Sequence, residues 1–323
     1  MKAQRFLCVA LCLLVIFSYG ITFGVDYPQK ETTFINPFNP GGEVDIYFRI
    51  VQPHLEKALG VRIIPEYKPA AGGAVAWSFL AAAKPDGYTI GGFSLPHVIL
   101  QPWFIKDTKF TPDDFTYLNM LAYTPIGLAV KNGFPAKTLK EFIEYAKANP
   151  NKVTVGVVGK HSGHHLATLQ FMKLTGTKLI VVPFTGTAPQ KTAILGGHID
   201  AVMTNSTAMV ETRPAGVIPL AIGSETRMEQ LSDVPTFAEL GFKFYPRIDR
   251  GFFAPKNLST EVTDKLEKTL FEIVSSKEVQ SKLVQLGFVP KVMNRAALTK
   301  YVNDLSIELK KLVEEEKLIS DSK

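Results

Sequence analysis

Two short stretches hold the residue types and spacings that could do chemistry. In INPFNPGGEVDIYFRI, residues 35–50, an apolar run meets Asn39, Pro40, Gly41 and Gly42 and then opens into an amphipathic helix. A glycine turn at a helix start leaves backbone N–H groups without intrahelical partners at the positive end of the helix dipole, which suits a phosphate or a carboxylate. On this reading the N–H groups of Gly41, Gly42 and Glu43 cradle the anion, while Asp45 bonds back to the loop and pairs with Arg49 four residues on. A plain strand-to-helix connection with no ligand is the alternative.

The second stretch is KHSGHH, where His161, His164 and His165 surround Ser162. Its context GVVGKHS fails as a phosphate-binding P-loop, because the first glycine is one residue too close and His161 stands where a hydroxyl is required. No acidic residue or cysteine lies nearby to complete a zinc site, and adjacent helical histidines diverge. No G-x-S-x-G elbow presents a serine nucleophile. The favoured reading is a helix start whose Ser162 hydroxyl and histidine ring N–H groups complete an anion site. Thr185 and Gly186 form the tip of a further strand-to-helix turn, and Ser94 at the end of YTIGGFS is placed like a side-chain donor. Asp200, in GGHID, joins the candidates, with a simple turn role as its alternative. Two glycosylation-type triplets, beginning at Asn205 and Asn257, are read as chance matches.

The chain of 323 residues that must position these groups begins with Lys2 and Arg5 ahead of an apolar run, 6–17, which gives way to small and polar residues. That is the layout of a secretory signal peptide, with cleavage expected after Gly24 and Gly20 as the alternative. Both cysteines, Cys8 and Cys12, fall inside it, so no disulfide or cysteine metal site is expected in the mature protein. Setting aside Lys2 and Arg5 leaves 34 basic and 30 acidic residues, a net of +4 that mildly attracts anions and does not suit nucleic acid. No later apolar segment is long enough for a bilayer span, and a soluble periplasmic product follows.

Helical and strand patterns alternate along the rest. Tyr47, Ile50, Val51, Leu55 and Ala58 make a helical stripe that Gly60 stops. Strand, helix and strand follow through Val61, the small residues of PAAGGAVA and the strand after KPDG. Thr138 and Glu141 make a capping box for helix 139–148. Strand signals recur in VTVGVVG, LIVVPF and IDAVMT, at 217–222 and at 251–254, before helices at 260–285 and 295–318. This order predicts an α/β protein of parallel sheet with crossover helices, and open sheets of that kind bind ligands at strand carboxyl ends.

In order along the chain, INPFNPGGEVDIYFR, PAAGGAVA, KPDGYTI, GKHSGHHLA, VPFTGTAP, GGHID, DVPTFAELGF and RGFFAPKN resemble the solute-binding proteins of tripartite tricarboxylate transporters, the Bug or TctC family. The resemblance implies a type II periplasmic binding protein fold, two α/β domains with a ligand cleft between them and two crossover hinge strands. The crossings are expected near 127–131 and 249–254. Domain 1 is then discontinuous, 25–127 plus 252–323, and domain 2 spans 128–251. A small carboxylate, whether di- or tricarboxylate, amino acid or aromatic acid, is implied as ligand, held by helix N-terminal amides and bridging waters rather than by an arginine salt bridge, with membrane transporter subunits as partners, a monomeric state, no cofactor and no catalysis. Carried over residue by residue, Gly41, Gly42, Asp45 and Ser94 stand on one wall, and Ser162, His165, Gly186 and Asp200 on the other. His161, Phe184 and Thr185 depart from the usual family residues, and Glu43 adds a carboxylate that repels a second one or accepts an ammonium or hydroxyl. The competing classes are a secreted metal-dependent hydrolase built on His161, His164 and His165, and a ligand sensor without a transport role.

Overall fold

The structure, a computed structural model of the chain, describes residues 27–316. The leader at 1–24 and the cleavage point lie outside them. Among the described residues no helix is long and apolar enough to cross a membrane.

The first unit follows the predicted alternation. Strand β1 (Thr32–Asn36) leads through the glycine turn to α1 (Glu43–Leu59), then β2 (Ile63–Tyr67), α2 (Ala74–Ala81), β3 (Thr89–Leu95) and α3 (His97–Phe104). β1 pairs in parallel with both β2 and β3. In α1 the buried stripe is Val44, Tyr47, Phe48, Val51, Leu55 and Leu59, while Ala58 is exposed and Ile50 half-buried. Gly60 ends the helix in the left-handed region at φ 73°, as expected of a C-terminal glycine cap.

The second unit is built around α4 (Leu139–Ala148), β5 (Thr154–Val158), α5 (Gly163–Thr175), β6 (Ile180–Phe184), α6 (Thr187–Leu195), β7 (Ala201–Asn205), α7 (Ser206–Thr212) and β8 (Ile218–Ile222). The capping box predicted for α4 is present, with Thr138 Oγ1 accepting from the Glu141 N–H at 3.2 Å and the Glu141 carboxylate from the Thr138 N–H at 3.2 Å. β5 pairs in parallel with β6 and β7.

Antiparallel pairing joins the two, a pairing direction that the order of elements alone does not predict. The 16-residue β4 (Phe115–Val130) pairs with β9 (Arg247–Pro255) as far as Pro125, and with β7 and β8 from Ile126 and Gly127 onward. β9 also lies antiparallel to β3, placing Arg250 opposite Ser94, and β10 (Val289–Met293) pairs with the first part of β4. One apolar core packs around Phe34, Phe48, Trp77 and Phe253, and others lie on the far half of β4, around Phe142 and Phe171 and around Met209 and Leu231. A second difference concerns the helix expected over 260–285. It breaks into α8 (Thr260–Ser275) and α9 (Lys277–Gln285), because extended Ser276 caps the new helix with its hydroxyl on the Val279 N–H at 3.3 Å. The described residues end in α10 (Arg295–Glu316).

Candidate ligand-binding cleft

The carboxyl ends of β1, β3, β5, β6 and β7 each turn into a helix, and these turns meet face to face. Thr185 Oγ1, exposed at the tip after β6, bonds to Asn39 Oδ1 at 3.3 Å. A Cβ added to Gly186 would stand 3.1 Å from Asn39 Oδ1. A Cβ on Gly159 would fall 2.8 Å from the Gly72 Cα, so neither loop tolerates a side chain there in this closed arrangement. Beside this contact lies a cavity of about 500 Å³ lined by Gly72, Phe104, Gly159, His161 and Thr185.

The glycine turn differs from the open cradle that its sequence suggests. Gly41 takes φ 77° and gives its N–H to Asp45 Oδ2 at 2.9 Å, and the Gly42 N–H goes to the Asn39 carbonyl at 3.2 Å. Asp45 also accepts from Tyr67 Oη at 2.6 Å and pairs with Arg49 at 3.1 Å, so the expected back-bond and ion pair both exist and brace the loop. Pro40 and Gly41 are exposed. With the Gly41 and Gly42 donors used internally, the turn positions a side chain, that of Glu43.

Glu43 is buried and reaches from the start of α1 into the opposing unit. Its carboxylate accepts from Thr187 Oγ1 at 2.7 Å and Thr207 Oγ1 at 2.9 Å, and Arg250 Nη2 lies 3.8 Å away. Burial pushes the Glu43 carboxyl upward, but the Arg250 charge and the hydrogen bonds its oxygens accept, that from Thr187 foremost, outweigh it, and the net shift is downward. Arg250 is 2% exposed and donates to Ser94 Oγ at 2.8 Å and Thr124 Oγ1 at 3.3 Å, while its Nε is buried without a protein partner.

The histidine cluster divides. His161, at φ 57°, stacks on Phe104 at 5.3 Å and gives its N–H to His165 Nδ1 at 3.2 Å. Ser162 caps α5, its Oγ accepting from the His165 N–H at 3.1 Å. His164 turns inward, with Nε2 3.0 Å from Asn205 Oδ1 and its ring 5.6 Å from that of His97. Both ring nitrogens of His97 and the Asn205 Nδ2 are buried without protein partners. Among the described residues no group of three His, Cys, Asp or Glu side chains is placed to hold a metal ion.

Asp200 does not join the others and is corrected to a structural role. It lies at the amino end of β7, roughly 16 Å from the Asn205 end by strand rise. There it accepts from the Thr154 N–H at 2.9 Å and Thr154 Oγ1 at 2.8 Å, and pairs with Lys131 at 2.8 Å. The sequence reading also misses Arg250, His97, Asn205, Thr187 and Thr207. Arg250 had a usable signal, since a charge inside the apolar strand IDRGFFAP must be buried with a partner. His97, alone in SLPHVIL, carried a weaker one.

Burial lowers the pKa of His164 and of His165 to about 4, and that of His97 well below the usual imidazole range. The unfolded histidine, near 6.5, takes up its proton before the folded one, so stability is full above pH 6.5 and falls as pH drops toward 4. The slope is about 1.4 kcal/mol per pH unit per histidine. Urea midpoints should therefore decline between pH 6.5 and 4.5, less steeply in His164→Asn; a flat profile would contradict the burial of neutral rings.

Strand-end turns closing on a buried polar floor from two α/β units define a cleft-type binding protein. A model of the tripartite tricarboxylate transporter family receptors, TctC, matches residues 47–318, and the chain belongs to that family. It is 28% identical over 288 residues to the UPF0065 protein in the gbd 5' region of Cupriavidus necator, covering 89% of this chain and 88% of that one. Among solved structures it is similar to R. palustris Rpa4515 with adipate (TM-score 0.85, 26% identity, 89% and 97% of the two chains). It is likewise similar to MatC of Rhodopseudomonas palustris with bound malate (TM-score 0.82, 26% identity, 89% and 100%). The chain thus has the fold of two-domain periplasmic binding proteins, in the solute-binding family expected from its motifs.

Proposed function

We propose that the chain is a periplasmic receptor that captures a small carboxylate between its two lobes and hands it to a tripartite membrane transporter. The observation that carries this is the buried floor of Arg250, Ser94, His97 and Asn205, donors with spare hydrogen-bond capacity, onto which turns from both lobes close. Support comes from the family's receptor character and from two similar structures that hold adipate and malate. The lobes are 25–127 with 252–323, and 128–251, and the leader directs export. Ligand that bridges them shifts the population toward the closed form, which is the form a transporter can distinguish. Desolvated, preorganised donors supply the affinity, and no catalytic step is needed.

A thermal-shift screen of the chain from residue 25 onward, stripped of ligand by unfolding and refolding, tests the reading against mono-, di- and tricarboxylates, amino acids and aromatic acids. A ligand at about 100 times its dissociation constant adds about 2.7 kcal/mol, or roughly 5 °C for a chain of this size. At least one carboxylate should produce such a shift while sugars do not. No shift with any carboxylate would contradict the proposal.

A further inference from the structure

The two lobes touch through contacts of unequal weight. The bond from Thr185 Oγ1 to Asn39 Oδ1, at 3.3 Å, lies at the rim, where Thr185 is exposed and water competes for both groups. Glu43 differs from this in burial and in charge. It is the first residue of α1, in the lobe that begins at residue 25, yet it is only 3% exposed and its carboxylate reaches the opposing lobe. Thr187, at the start of α6, donates to Oε2 at 2.7 Å, and Thr207, in α7, donates to Oε1 at 2.9 Å. Both threonines are buried. Arg250 Nη2, 3.8 Å from Oε2, offsets the charge.

These bonds exist only while the lobes are together. In an open form the carboxylate faces water, which replaces both hydroxyls at little cost. In the closed form water is excluded, and the two threonines satisfy the carboxylate beside Arg250. Loss of one hydroxyl therefore penalises the closed form and leaves the open form almost untouched. The carboxylate is also held ready before the lobes meet, because Asp45 accepts from the Gly41 N–H and pairs with Arg49, bracing the turn from within its own lobe.

We propose that Glu43, Thr187 and Thr207 form a clasp that draws the lobes together without ligand. Glu43 is then a positioning residue, which acts on binding through closure and not by touching the ligand. The ligand-free chain divides its time between open and closed forms, and ligand completes a closure that the clasp has already favoured. The clasp rests on the two-lobe reading above but not on the ligand's being a carboxylate.

Single-molecule fluorescence transfer on the ligand-stripped chain from residue 25 onward reads the closed-to-open ratio with no ligand present. That stretch of sequence has no cysteine, so dyes on cysteines introduced at exposed Lys57 and Lys178 report a single distance between the lobes. Thr187→Val and Thr207→Val should each lower the ratio about 10- to 100-fold, the range for one hydrogen bond to a charged group. Thr187→Ser and Thr207→Ser keep the hydroxyl and should stay within about threefold of wild type. Glu43→Ala removes the shared acceptor, and in that background the valine substitutions should have little further effect. Should one of these variants fail to fold, the others decide. A ratio unmoved by the valine variants, serine variants that open the lobes as far as valine does, or a wild type with no closed population would overturn the clasp. The carboxylate screen measures a different quantity, so its failure would remove the carboxylate reading and leave the clasp standing.

Discussion

Gly159→Val is expected to lower ligand affinity by at least about 100-fold, close to 3 kcal/mol. The Cβ it introduces would lie 2.8 Å from the Gly72 Cα, a backbone atom that cannot step aside as a side-chain tip could. The variant also forces a β-branched residue into φ 81°, which costs stability by about 1–3 kcal/mol. The two effects separate experimentally. Backbone strain lowers the melting temperature with or without ligand, whereas the steric prop acts on closure and appears as lost affinity. Small-angle scattering should show a radius of gyration that no longer contracts on adding ligand, although the fold is intact by circular dichroism. Normal contraction and affinity in this variant would mean that the approach of the Gly72 and Gly159 loops is unrelated to binding.

Arg250→Met should cost about 2–5 kcal/mol of binding free energy, the range for truncating one member of a buried, hydrogen-bonded charge pair. The substitution removes the guanidinium that Ser94 and Thr124 orient and leaves Glu43 without a cation in the closed cleft. Met retains much of the apolar stem, so the loss reports charge and donors more than packing. Part of the penalty is the stranded Glu43 carboxylate. The double variant Glu43→Gln with Arg250→Met should therefore lose less affinity than the two single variants summed, and the calorimetric double-mutant cycle measures that coupling. Affinity within threefold of wild type for Arg250→Met would remove this residue from the binding floor.

Much of the fold was legible because its signals are local. A capping box, a glycine past a helix end and a helical apolar stripe each depend on residues within a turn or two, and Thr138, Gly60 and Val51 stand where those rules place them. The resemblance placed crossing strands near 127–131 and 249–254, but the antiparallel pairings at the junction were not legible. Ser94 opposite Arg250 and Ile126 opposite Asn205 are pairings between residues far apart in sequence, and neither strand bears a mark of its partner. Ser276 escaped notice because a serine breaks a helix only where its backbone turns extended and its hydroxyl finds the next N–H.

The candidate site divides in the same way. Asp45 returning to the loop and pairing with Arg49 is a four-residue relation and could be read directly. That the same bond uses up the Gly41 donor depends on which rotamer Asp45 adopts against Tyr67, which comes from another strand. Thr207 and Asn205 drew attention only as part of a glycosylation-type triplet, yet both are buried against groups more than 40 residues away. Asp200 already read as a possible turn residue at the start of its strand, away from the carboxyl ends where ligands bind, and stood among the candidates through the resemblance.

The most direct test is a crystal structure of the ligand-stripped protein soaked or grown with the carboxylate found by the screen. The ligand's carboxylate is expected within hydrogen-bond distance of Arg250 or Ser94, enclosed between the loops of Gly42, Gly72, Gly159 and Gly186. A ligand bound outside that cleft, or a cleft closed as in the present structure with the ligand elsewhere, would contradict it.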